Sequence, residues 1–168
     1  MDAKQEAEWH FKQAEAYTHV VRSTPADAAR VLCGDAHIAL QEMLCGLLLE
    51  VAPEVDIGPM RRRSPSVLLR TLYEVCPNLD RDGALEDWVE ILGGWSEEQM
   101  NNPKSFHFSP SKADGQAARI ALDSALERLQ SYRKPSSNCG TGSTIESGEK
   151  HGRGRYAHGS GGTRSVAG

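Results

Sequence analysis

A chain of 168 residues with a formal net charge of −4 fits one domain of ordinary size, about 100 to 150 residues, plus an appendage. Aromatic residues make up only 6%, so the core must come mainly from Ala, Leu and Val, a composition that favours helices. Residues 1–133 hold 14 Lys and Arg against 21 Asp and Glu, whereas residues 134–168 hold 5 against 2; an acidic body argues against broad electrostatic adhesion to nucleic acid and leaves room only for a local basic site.

Residues 2–23 read as a first helix. Ala7, Phe11, Ala14, Thr18 and Val21 recur at spacings of four and three, with Glu6, Glu8, Lys12 and Glu15 elsewhere around the cylinder. The segment Ser23-Thr24-Pro25-Ala26-Asp27 predicts the start of a second helix, with Thr24 as cap, Pro25 at the first helical position and Asp27 placed for a capping box. That helix is predicted to run to Val51. Because Ala36 to Leu49 is apolar around most of its circumference, it should lie centrally, with Leu44 and Leu47 in the core.

Pro53 ends it, and Ile57-Gly58-Pro59 marks a loop leading into Arg61-Arg62-Arg63. Ser64-Pro65 opens a short third helix with Leu68, Leu69, Leu72 and Val75 inward, stopped by Pro77. A fourth is predicted over 82–92 from Leu85, Trp88, Val89 and Leu92, broken by Gly93-Gly94. NNPKSFHFSP is a connection, since Asn101-Asn102-Pro103 cannot continue a helix. The last helix begins near Ser109-Pro110-Ser111, with Asp114 completing Ser-x-x-Asp, and carries Leu122, Ala125, Leu129 and Tyr132 inward until Pro135. No segment alternates as a strand does. The expectation is an all-α bundle of about five helices over 1–133.

Residues 134–168 contain nine glycines and six serines, with Ile145, Tyr156 and Val166 the only sizeable apolar side chains. So little burial cannot offset an ordering entropy of about 1–2 kcal/mol per residue, and the tail is expected to be disordered. The N-terminus lacks the apolar stretch of a signal peptide, and the longest apolar run is interrupted by Gln41, Glu42 and Glu50; the chain reads as cytoplasmic, with no membrane partner.

Cys33, Cys45, Cys76 and Cys139 show no zinc-finger spacing. On one helix, Cys33 and Cys45 would stand about 18 Å apart, beyond the reach of a disulfide, and they read as reduced core thiols. Glu6/His10 and Glu15/His19 are four apart, a spacing that suits surface hydrogen-bonded pairs better than metal ligands. His37, beside Ile38 and Leu40, reads as a satisfied core or interface histidine. Neither a phosphate-binding glycine loop nor a metal motif is present, so neither cofactor nor metal is expected. Three adjacent guanidinium groups at Arg61, Arg62 and Arg63 form a candidate nucleic-acid contact, the alternative being a solvated basic run.

The order of pieces, with AEAY in the first helix, AHIALQEMLCGLLLEV in the second, VLLRTLYEV in the third, and NNPKSFHF before ARIALDSALERL, resembles the HEPN (higher eukaryotes and prokaryotes nucleotide-binding) domain family over residues 5–133. The resemblance implies a HEPN-like bundle that pairs as a homodimer through the face bearing the family motif. It also implies RNA, a nucleotide or a nucleotidyltransferase-type protein as partner. Active members are metal-independent ribonucleases, some of them toxins or phage-defence factors, whose motif is an arginine, a polar residue and a histidine close to the last helix. Asn102 matches the polar position and His107 the histidine, but Asn101 stands where the arginine would be. His107 could move a proton near neutral pH; Lys104 could approach the phosphate, without the arginine fork. The resemblance thus points first to a binding or regulatory module that has lost the motif arginine. An active ribonuclease using His107 and Lys104 is the alternative, and a helical interaction adaptor the third.

Truncation after Arg133 should leave the melting temperature within a few degrees of the full chain, because the tail offers no periodic apolar face. A larger fall in a thermal melt would show that the tail packs.

Overall fold

The computed structural model describes residues 2–59, 64–79, 83–94 and 110–133. They form five helices and no strand: α1 (Ala3–Ser23), α2 (Ala29–Val51), α3 (Pro65–Val75), α4 (Ala84–Gly93) and α5 (Lys112–Arg133). The all-α expectation holds. Residues 134–168 lie outside the described residues.

Each helix starts and stops for local reasons. The Asp2 carboxylate accepts the Gln5 N–H at 2.7 Å while the Gln5 side chain accepts the Asp2 N–H, a complete capping box on α1. Its apolar stripe is buried as predicted, and His10 joins it at 0% exposure. Thr24 does not start α2. Its hydroxyl donates back to the Val20 carbonyl at 2.7 Å and its N–H does likewise, so it closes α1. Pro25 to Ala28 then makes a separate turn, the Ala28 N–H meeting the Pro25 carbonyl at 3.0 Å. The Arg119 guanidinium, donating to the Thr24 carbonyl, holds this corner from α5. Pro65 takes the first position of α3 behind Ser64, as expected. Val75, however, is 39% exposed, because the last turn ends there and Cys76, its N–H bonded to the Leu72 carbonyl, takes the inward place. Gly83 precedes α4 with a φ of 72°, a left-handed conformation in which a side chain would be strained.

Helix α2 is the axis. Its 23 residues extend about 35 Å, most are buried, and it packs against each of the other four helices. By length and hydropathy it could cross a membrane; here the other helices cover the apolar surface that lipid would otherwise meet. Helix α5 runs alongside in the same direction. Gly115 brings its first turn so close that a Cβ there would come 3.0 Å from the Ala29 Cα and the Leu32 Cδ1. At the far end, Arg133 Nε lies 3.7 Å from Glu50 of α2. Helix α1 runs the opposite way across both, its Phe11 ring close against Gly46 and the Arg133 guanidinium 3.5 Å from the ring centroid.

The start of α5 is as the sequence predicts. Ser111 and Asp114 form a capping box, the Ser111 N–H and hydroxyl each donating to the Asp114 carboxylate at 2.7 Å. Those bonds hold the Asp114 carboxyl below its ordinary range.

The contact of Phe11 with Gly46 sets the sign of one substitution. Alanine is the better helix former by about 1 kcal/mol, yet a Cβ on Gly46 would lie 2.6 Å from the Phe11 ring, and overpacking costs about 1–3 kcal/mol. Gly46→Ala should therefore destabilise the fold in a urea melt. Stabilisation would mean that the ring tips away freely.

Candidate functional site

His107, Asn102, Lys104 and the motif position Asn101 lie outside the described residues, as do Arg61, Arg62 and Arg63. The described residues that flank the first group are the end of α4 and the start of α5. One is anchored where the Leu92 carbonyl accepts from Nδ1 of His37 at 3.0 Å. The other is anchored by the Ser111–Asp114 cap, a turn ahead of Gly115 and its seat on Ala29 and Leu32. Both anchors sit on the first half of α2, eight positions apart along it and so separated by about 12 Å of helix rise.

That half of α2 carries three groups of chemical interest. His37 is 4% exposed, and its bond to Leu92 makes it the satisfied core histidine expected from the sequence. Cys33 is fully buried, and burial, helped by the Asp114 carboxylate, pushes its thiol up to about 11; it is a packing group with little thiolate character. Cys45 and Cys76 are likewise free and buried, as expected. Asp35 is half-buried, and burial raises its carboxyl above the ordinary value of 3.8.

The reading of His10 as a surface residue is corrected. His10 is enclosed between α1 and α2, its Nδ1 2.5 Å from Oε2 of Glu42, with the Trp9 ring edge-on 5.0 Å away. The signal was present in the sequence, because position 10 falls on the stripe of Ala7, Phe11 and Ala14, where a surface residue has no place. The partner carboxylate lies on another helix, so spacing along α1 could not reveal it. Among the described residues, no group of three His, Cys, Asp or Glu side chains is arranged to hold a metal ion.

A groove of about 900 Å³ runs between α1 and α5, within the usual range for binding clefts. Phe11, Met43 and Leu126 form its apolar base, and Lys12, Glu15 and His19 stand along its α1 rim. An ion pair joins the two helices at each end: Arg22 with Asp123 at 2.7 Å, and Arg133 with Glu8 at 3.3 Å. Exposed pairs of this kind add little stability; they fix where the groove stops.

Asp35 gives a pH test. A carboxyl raised by burial favours the fold most when protonated, below the unfolded value near 3.8, and that contribution is lost as pH rises through its higher folded value. Asp35→Asn should raise the melting temperature at pH 7, by about 1–3 °C, and the gain should fade towards pH 3. An equal gain at both pH values would assign the effect to something other than the charge.

No family model, curated protein or solved structure matches this chain.

Proposed function

We propose that this chain is a HEPN-like binding module that engages RNA or a nucleotide phosphate in the cytoplasm and has lost most or all of the nuclease activity of its active counterparts. The observation that carries the reading is the position in the sequence of Asn102 and His107 just ahead of the last helix, α5, of an all-α bundle, the order that the resemblance implies.

The roles follow from the side chains. The imidazole of His107 can hydrogen-bond or exchange a proton with a ribose hydroxyl. Cleavage through that hydroxyl builds negative charge on a five-coordinate phosphorus, which a fixed guanidinium stabilises. Asn101 carries no charge, and Lys104 brings a point charge without a two-pronged donor. Arg61, Arg62 and Arg63 supply phosphate contacts that fix position and carry no base selectivity.

Asn101→Arg tests this directly. If it restores one charge-assisted contact of about 1.5–4 kcal/mol, RNA cleavage should rise by about 10- to 1000-fold. The double variant Asn101→Arg, His107→Ala should return to background. Strong metal-independent cleavage by the unmodified chain, abolished by His107→Ala, would make the protein an active ribonuclease instead. No response, with no RNA or nucleotide binding by any variant, would favour a helical adaptor.

A further inference from the structure

The solvent side of α4 carries charge that no described residue answers. Glu86, Asp87 and Glu90 are exposed on it, and Glu127 is exposed on the adjoining α5. None of these four side chains makes an ion pair or hydrogen bond among the described residues. Between the two helices lies a cleft of about 460 Å³, lined by Trp88, Ser124, Glu127, Arg128 and Ser131; Arg128 already has a partner. Uncovered apolar surface extends the cleft. Ile91, three residues on from Trp88, is 43% exposed, and Ile120, four residues before Ser124, is 67% exposed. Free carboxylates beside an indole and two branched side chains suit an occupant that is cationic and carries an aromatic ring.

We propose that the occupant is a segment of the same chain, Lys150-His151-Gly152-Arg153-Gly154-Arg155-Tyr156, folded back onto the α4 and α5 face. Its charge is complementary: Lys150, Arg153 and Arg155 come with no acid among them, opposite Glu86, Asp87, Glu90 and Glu127. Its tether starts at the site, because the chain continues from Arg133, two residues past Ser131 in the wall of the cleft. The tether also has the right length. Lys134 and Lys150 are 16 positions apart, and a Gly/Ser-rich chain of that length spans about 20–24 Å root-mean-square, against about 17 Å of helix rise from Ser131 to Ile120. A tether matched to its span holds the segment at an effective concentration in the millimolar range, so a contact with a Kd of about 1 mM is half populated. Tyr156 supplies the ring for Ile91 and Ile120, and Gly152 and Gly154 let the backbone lie close to the helices. Half occupancy shifts the folding equilibrium about twofold, or about 1–2 °C in melting temperature, in keeping with the small effect expected of truncation after Arg133.

The face is on α4 and α5 and the segment is in the tail, so this inference stands independently of the RNA reading. The test is paramagnetic relaxation in the full chain, with a nitroxide attached through Ser160→Cys in a Cys139→Ser background; Cys33, Cys45 and Cys76 are buried. Broadening should be strongest at the amides from Glu86 to Ile91 and at Glu127, weak along α1, which does not touch α4, and reduced at about 0.5 M salt. Reversing the tail charges with Lys150→Glu, Arg153→Glu and Arg155→Glu, which leaves the bundle itself unaltered, should reduce the broadening by about fivefold. Asp87→Lys, Glu90→Lys and Glu127→Lys should do the same with wild-type helical circular dichroism, and the two sets combined should recover it. Uniform broadening over all five helices, or broadening confined to Ser131 to Arg133, would overturn the proposal. So would indifference to the tail reversal. Broadening of the same amides when spin-labelled chains are mixed with isotopically labelled chains would also overturn it, by showing that the segment acts between copies.

Discussion

Everything in this bundle depends on burying α2. A helix apolar around most of its surface has no stable place in water, because each fully exposed Leu or Met on it forgoes about 1.5–3 kcal/mol. One neighbouring helix covers only a third or so of such a cylinder, so several are needed. The chain supplies four, and each contributes a narrow stripe: Ala7 to Val21 on α1, Leu68 to Leu72 on α3, Leu85 to Leu92 on α4, and Ala118 to Leu129 on α5. Small residues mark where approach is closest. Gly46 makes room for the Phe11 ring, and Gly115 lets α5 rest on Ala29. The polar groups enclosed with α2 are partnered, His10 by Glu42 and His37 by the Leu92 carbonyl, as buried polar groups must be to avoid a cost of a few kcal/mol.

The same arrangement determines which surfaces are free. Because α2 absorbs nearly all the apolar burial, α1 and α5 each lean on it and meet each other chiefly through the ion pairs at their ends, Arg22 with Asp123 and Glu8 with Arg133. The groove between them is a consequence of that geometry. Met43 and Leu126 lie at its base and are already buried. The end of α4 and the start of α5 both rest on the first half of α2, through His37 and through Ala29 and Leu32.

Helix existence, order and inner faces could be read from spacing alone, because the stripe of a helix packed on one neighbour repeats every three or four residues. Where reading failed, the cause was a choice between two local partners or a partner distant in sequence. Thr24 has the side chain of a helix start, and its hydroxyl bonds backwards to Val20; both geometries suit a threonine before a proline. Val75 follows the inward spacing of α3 and lies outside because the helix stops under it. His10 has an acid four residues earlier, which suggests a local pair, whereas Glu42 is 32 residues away. Of the candidate site, Asn101, Asn102, Lys104 and His107 came from the resemblance to the HEPN family, and the basic run Arg61 to Arg63 from residue type. The anchors His37 and Leu92 could not, since a side chain bonded to a backbone carbonyl leaves no pairwise signature.

Amide hydrogen exchange across the whole chain tests the central place of α2 most directly. If the fold is held by burial of this helix, the amides from Leu32 to Leu48 should be the slowest to exchange and should open only with global unfolding. Their exchange free energy should match the stability found by denaturant. If α2 instead exchanged faster than α1 or α5, the bundle would be organised around another contact, and α2 would not be its axis.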